Sequence, residues 1–161
     1  MILLSAHASA VLAAQAQAAA AGSATAQSAY VQPHMQHEPY GSVDVVVPLS
    51  SDDKEIQAMK LRNIAHGLKA GDEWQGTFNI KVVLYGKGLT LLMDPDEATK
   101  KQLDMLRSRG VQFEVCNNTL AGLGIDFHAL YHVTDADIVP SGFAEVAYLQ
   151  VRRHYAIDPA N

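Results

Sequence analysis

The stretch Phe78–Tyr85, which reads FNIKVVLY, decides the fold class. Its centre, Val82-Val83-Leu84, is apolar at consecutive positions, so both faces of the strand are expected to be buried. Strands of this kind occupy the middle of parallel sheets that carry helices on both faces. The sequence therefore predicts an α/β protein around this strand.

Outward from this strand, segments with strand periodicity alternate with segments with helical periodicity from Ser42 onward. Capping residues, prolines and glycines mark the ends of these segments, as with Asp94-Pro95 before a helix or Gly71 after one. Strands are predicted over residues 43–47, 78–85, 111–115 and 136–139, and helices over about 53–69, 95–109, 120–123 and 143–154.

The alternation predicts a single domain with an open parallel sheet, flavodoxin-like or Rossmann-like, of about four to five strands with helices on both faces. The crossover connections should be right-handed. In such sheets, ligands bind beyond the carboxyl ends of the strands, where the strand order reverses. Residues that follow the predicted strands are therefore the candidates for a functional site.

Composition excludes several classes of protein. The chain has 161 residues, one cysteine, and 12 basic against 17 acidic side chains, for a net charge of −5. A single cysteine rules out an internal disulfide and a cysteine-cluster metal site. The mild acidity argues against nucleic-acid binding, and no apolar run has the roughly 18 residues that a membrane span needs.

The first 30 residues differ from the rest of the chain, since 13 of them are alanine and none is charged. We interpret residues 1–30 as a signal peptide or a disordered alanine-rich leader, 31–41 as a linker and 42–161 as the domain. A signal peptide predicts a periplasmic or otherwise exported protein, and the alternative is a cytoplasmic one. His34 and His37 in the linker leave metal binding open, with solvated linker residues as the simpler interpretation.

Cys116 is the main candidate for chemistry. It is predicted to end the third strand and to precede a helix that Asn117, Asn118 and Thr119 would cap. Unpaired N–H groups at a helix start favour the thiolate, which is the nucleophilic form of cysteine. The alternative is a small buried hydrophobic residue, which is the usual role of a free cysteine.

Two further groups of residues invite a functional interpretation. Gly86 and Gly88 follow the second strand and would let the backbone approach a ligand, or would simply form a tight turn. Asp126, His128 and His132 follow Cys116, and the two histidines would share one helix face as a metal pair or a base. No third metal ligand is evident, so we assign no metal site and no cofactor.

Three blocks of sequence resemble the DsrE/DsrF-like family, over roughly residues 43–159. They are KVVLYGKG at 81–88, VCNNTL at 115–120, and VPSGFAE at 139–145 with Leu149-Gln150. The resemblance implies a compact α/β fold that assembles into dimers, trimers or hexamers, and a link to sulfur-relay systems. It also implies that Cys116 carries sulfur as a persulfide, and that Gly86, Gly88, Ser141 and Gly142 belong to loops at the same edge.

Two functions remain open. In the first, the protein is a sulfurtransferase-like sulfur carrier, whose partners are sulfur donors and acceptors, either proteins or small sulfur compounds. In the second, it is a non-catalytic oligomeric binding or scaffold protein. An exposed Cys116 in a cleft at a subunit interface would favour the first function, and a buried one the second.

A homo-oligomer is expected under both functions, because the last helix carries more apolar surface than one buried stripe needs. The residues that supply this surface are Phe143, Val146, Tyr148, Val151 and Tyr155.

Overall fold

A computed structural model describes Met35 and residues 37–158 of the chain. The interpretation of residues 1–30 and the question about His34 lie outside these described residues. Within them, no helix has both the length and the apolar character needed to cross a bilayer.

The centre of the fold is a five-stranded sheet in which every neighbouring pair is parallel. The order across the sheet is β4-β3-β2-β1-β5. The chain thus builds the sheet outward in one direction from β1 to β4 and then returns to the other side of β1. The strands are β1 Gly41–Leu49, β2 Gly76–Leu84, β3 Gln112–Cys116, β4 Ile138–Val139 and β5 Ala156–Ile157.

In the described part of the chain, four α-helices connect the strands and cover both faces. They are α1 Lys54–Glu73, α2 Glu97–Ser108, α3 Asn117–Leu123 and α4 Gly142–Arg153, with short 3-10 turns between them. Buried side chains of α1, α2 and α3 pack on one face in the larger apolar cluster. Leu149 and Val146 of α4 pack on the opposite face against Val46 and Val83. The predicted open parallel α/β sheet with helices on both faces is confirmed.

Pro48 does not end the first strand, which continues to Leu49. Proline lacks the N–H that would donate to a neighbouring strand, so it is tolerated where no strand lies on that side. The neighbouring β5 pairs only with Val45 and Val46, which leaves that side of β1 unpaired at Pro48. The edge character of β1 at this point explains why the proline fits.

Gly71 does not stop the first helix either, since α1 runs on to Glu73 and Trp74 caps it. A Cβ atom at Gly71 would lie 2.6 Å from the Phe78 ring. The glycine therefore lets α1 pack closely against β2. The first helix consequently starts one residue later than predicted and ends four residues later.

Candidate functional site

Cys116 is the last residue of β3 and pairs with Val139 of β4. After β3 the chain enters α3, whose Leu120 packs in the larger cluster, and after β4 it enters α4 on the opposite face. Connections that leave two adjacent strands toward opposite faces open a crevice at their carboxyl ends. Cys116 thus lies at the place where an α/β sheet usually binds its ligand.

Four polar groups near the sulfur of Cys116 affect the pKa of its thiol. Burial raises the pKa of the Cys116 thiol, but hydrogen bonds from the Thr119 hydroxyl and from the N–H groups of Gly142, Thr119 and Asn118 outweigh it. The pKa therefore lies below the ordinary value of a thiol, because these donors stabilise the thiolate. The donors come from the first turns of both α3 and α4, so two helix starts converge on one sulfur.

Thr119 connects the cysteine to the loop that follows β2. Its hydroxyl oxygen accepts a hydrogen bond of 2.9 Å from the N–H of Gly86, which leaves the hydroxyl proton free to point at Cys116. Gly86 has a φ of +54°, a left-handed conformation that favours glycine. The structure therefore brings Gly86, Thr119 and Cys116 together, although 30 residues of sequence separate the first from the last.

Ser141 and Gly142 build the other wall of the site. The Ser141 hydroxyl caps α4 by accepting from the N–H of Ala144 at 3.4 Å. A Cβ atom at Gly142 would lie 2.9 Å from Cβ of Tyr85, so the helix start rests directly on the residue after β2. This close contact sets the position of the start of α4, where the N–H of Gly142 helps to lower the pKa of Cys116.

Gly88 packs closely against the end of β1. A Cβ atom there would lie 2.0 Å from the carbonyl oxygen of Leu49, so the 3-10 turn Gly86–Leu91 packs on the end of β1 through a bare backbone. Asn117 and Asn118 are exposed on the first turn of α3, and Asn118 contributes its N–H to Cys116. Helix α3 begins at Asn117, three residues before the predicted start, with Cys116 itself as the N-cap residue.

The side chain of Cys116 is buried, with 5% of its surface exposed. We expect a buried Cys116 in a binding or scaffold protein and an exposed one in a sulfur carrier, so this burial favours the binding or scaffold function. The hydrogen bonds point the other way, because an inert buried cysteine needs no donors and would keep a raised pKa. The two observations together describe a thiol that is both shielded and acidified.

A charged cluster under α4 was not found from the sequence. Glu114 lies two residues before Cys116, and 8% of its surface is exposed. One of its carboxylate oxygens forms a close ion pair with Lys81. The other oxygen is buried without a hydrogen-bond partner. Burial raises the pKa of Glu145, the negative charge of Glu114 raises it further, and Lys81 opposes both. The signal available in the sequence was a glutamate in the centre of a strand with a lysine on the neighbouring strand.

The prediction that His128 and His132 share a helix face is wrong. Residues Phe127–Ala129 form a single 3-10 turn, and His132 has a φ of +52° outside any helix. His128 instead pairs with Asp126, its Nδ1 lying 2.7 Å from the carboxylate. Among the residues described by the model, no group of three or more potential metal ligands comes together, and His37 packs on the ring of Trp74.

The fold and the site define a class: a parallel α/β protein with one acidified cysteine between two helix starts at the carboxyl edge of the sheet. The DsrE/DsrF-like family model matches residues 40–158. The chain belongs to this family, which points to a role related to sulfur relay. No curated protein matches the chain.

Two solved structures are similar to this chain. MTH1491 from Methanobacterium thermoautotrophicum, described as a protein of unknown function, is 25% identical with a TM-score of 0.63, over 72% of this chain and 97% of its own. The ychN protein from E. coli is 14% identical with a TM-score of 0.51, over 73% of this chain and 96% of its own. The second likeness concerns the fold alone.

Proposed function

We propose that the protein is a sulfur carrier that holds sulfane sulfur on Cys116. The observation that carries the proposal is the position of Cys116 at the carboxyl edge of the sheet, between the starts of α3 and α4, whose polar groups lower the pKa of its thiol. Thiol exchange proceeds through the thiolate, and its rate is best when the thiol pKa is near the ambient pH. A lowered pKa therefore serves this chemistry, and family membership supports it.

The transfer needs no cofactor. The thiolate of Cys116 attacks the outer sulfur of a persulfide or polysulfide donor, and the bond between this sulfur and the next one in the donor breaks. A persulfide then leaves as a thiolate, and a polysulfide leaves as a polysulfide anion that is one sulfur shorter. Cys116 then carries the terminal sulfur as an anion that the same N–H groups can stabilise. A thiolate of an acceptor attacks that terminal sulfur and regenerates the Cys116 thiolate.

The test is polysulfide loading followed by intact mass measurement. The wild-type protein should gain at least one sulfur atom, and Cys116→Ser should gain none. Cys116 is the only cysteine of the chain, so a mass gain cannot arise at another thiol. Equal gain in the two proteins would reject the proposal.

The burial of Cys116 favours a second candidate, a non-catalytic binding or scaffold protein with a structural cysteine. The two candidates differ in how the thiol meets a reagent. A sulfur carrier should react with a small thiol reagent under native conditions, faster as the pH rises. A structural cysteine should react only after the protein is denatured, and that result would favour the second candidate.

A further inference from the structure

One carboxylate oxygen of Glu114 lacks a hydrogen-bond donor on the face of the sheet that α4 covers. Val83 is the neighbour of Glu114 on β2 and packs against α4, so the Glu114 side chain points toward α4 as well. Cys116, two residues further along β3, points to the same face because side chains alternate along a strand. Lys81 pairs closely with one oxygen of Glu114, which leaves the other oxygen buried and unpaired. An unpaired buried oxygen is costly, so a donor is expected between Glu114 and α4.

Glu145 is the acidic side chain of α4 that lies near this oxygen. Helix α4 starts beside Cys116 and runs back along the sheet, so Glu145, three residues after Gly142, lies about 4.5 Å further along the helix axis. Glu114 lies two residues before Cys116, which is roughly 6.6 Å in the same direction. Glu145 is half-buried, and the charges of Glu114 and Lys81 both act on its carboxyl group.

Two carboxyl groups therefore share one ammonium group under α4. Helix α4 packs against β1, β2 and β3. The ionisable groups on this face are Asp44 from β1, Lys81 and the following Tyr85 from β2, and Glu114 and Cys116 from β3. Asp44 already accepts a hydrogen bond of 2.7 Å from the Asn79 amide. Lys81 is the only base among these strand residues, so ionisation of both glutamates would leave one negative charge in the interface without compensation.

We propose that Glu145 is a positioning residue for the Cys116 site, whose protonated carboxyl group donates a hydrogen bond to the buried oxygen of Glu114 and ties the first turn of α4 to β3. A carboxylate only accepts hydrogen bonds, whereas a carboxylic acid also donates one. Glu114 then has a donor for each oxygen, the ammonium group of Lys81 and the O–H of Glu145. Burial and the negative charge of Glu114 raise the pKa of Glu145, which favours this protonated form.

The hydrogen bond between Glu145 and Glu114 acts on Cys116 through Gly142. Gly142 stands in the same first turn of α4, and its N–H helps to lower the pKa of the Cys116 thiol. Loss of the Glu145 proton replaces the hydrogen bond by a repulsion between two carboxylates, so the start of α4 is held below the pKa of Glu145 and released above it. That this proton also controls the access of a sulfur donor rests on the proposed sulfur function, whereas the link between α4 and β3 does not.

The first test follows the start of α4 by hydrogen exchange of the Gly142 and Glu145 N–H groups, expressed as protection factors. In the wild-type protein, protection should fall about tenfold as the pH rises through the pKa of Glu145, which is the contribution of a hydrogen bond to a charged group. Glu145→Gln should keep its protection over the same range, because its amide donates to Glu114 at every pH. Glu55→Gln is the matched control, since Glu55 is an exposed acid in the first turn of α1, and it should behave like the wild type.

The second test compares two variants of Glu145 by the pH midpoint of Cys116 alkylation. Glu145→Gln and Glu145→Ala both remove the negative charge, but only glutamine keeps a donor for Glu114. Glutamine should therefore hold the N–H of Gly142 in place and give the lower midpoint, and alanine should give a higher one. A difference of this kind cannot arise from the lost charge alone, because the charge is lost in both variants.

Two results would overturn the proposal. One is a wild-type protection of α4 that does not change as Glu145 titrates. The other is an equal alkylation midpoint in Glu145→Gln and Glu145→Ala, because the charge of Glu145 would then account for its whole effect. Polysulfide loading separates this proposal from the sulfur function: a wild type that passes both tests but gains no sulfur keeps the hydrogen bond between Glu145 and Glu114 and rejects the sulfur carrier.

Discussion

Substituting Gly142 by alanine should loosen the one contact that ties α4 to both the sheet and the cysteine. The new Cβ atom would lie 2.9 Å from Cβ of Tyr85 and 3.1 and 3.2 Å from its Cδ1 and Cγ atoms. Carbon atoms in good contact are about 3.5–4.0 Å apart, so the helix start must move by roughly 0.3–0.6 Å. The N–H of Gly142 must then move relative to the sulfur of Cys116.

Forced overpacking of this kind costs about 1–3 kcal/mol. The better helix propensity of alanine offsets part of this cost, by up to about 1 kcal/mol. We therefore expect Gly142→Ala to lower the free energy of unfolding by roughly 1–2 kcal/mol in urea titrations. The loss or weakening of the Gly142 hydrogen bond should also raise the pKa of Cys116, measured as the pH dependence of thiol alkylation.

Gly67 in the middle of α1 is the matched control, because an added Cβ there meets no atom within 4 Å. Gly67→Ala should raise the free energy of unfolding by about 0.5–1 kcal/mol and leave the thiol titration unchanged. The reasoning would be refuted if Gly142→Ala were as stable as the wild type and titrated like it. It would also be refuted if both alanine variants behaved alike.

Three further predictions concern the cysteine and the carboxyl end of the described chain. Thr119→Val removes the hydroxyl donor, so the midpoint of Cys116 alkylation should move to higher pH. Folding lowers the pKa of Cys116, so its thiolate stabilises the folded state at pH values above the ordinary thiol pKa. This stabilisation is lost as the pH falls through the lowered pKa. The difference in unfolding free energy between the wild type and Cys116→Ser should therefore increase with pH across this range. Asp158→Asn should lower the free energy of unfolding by roughly 2 kcal/mol in urea titrations, because it removes a charge-assisted hydrogen bond of 2.5 Å to the buried Lys60 ammonium, and an unchanged unfolding curve would contradict this.

The sequence predicts the sheet because the evidence for it is local. Val82-Val83-Leu84 can only be a strand covered on both sides, and the structure leaves Val83 and Leu84 without exposed surface. The position of Cys116 at the carboxyl edge follows from the same pattern, since the clean alternation over 111–115 ends there. Runs of apolar residues and capping residues thus suffice to place β1 to β4 and the cysteine, but not β5, whose Ala156–Ile157 no local pattern marks as a strand.

The rest of the site depends on contacts between distant segments, which no local pattern contains. Gly71 has the sequence context of a helix stop, but its lack of a side chain serves the packing of Phe78. Gly88 likewise is explained only by the carbonyl of Leu49, 39 residues earlier. The start of α3 was placed three residues too late because asparagine and threonine are good capping residues, whereas the structure has Cys116 in the cap position.

The acidity of Cys116 depends in part on the start of α4. The N–H of Gly142 is one of the groups that lower the pKa of Cys116, so a movement of α4 that opened the crevice to the sulfur would withdraw this N–H. Exposure and thiolate stabilisation therefore oppose each other in a single chain.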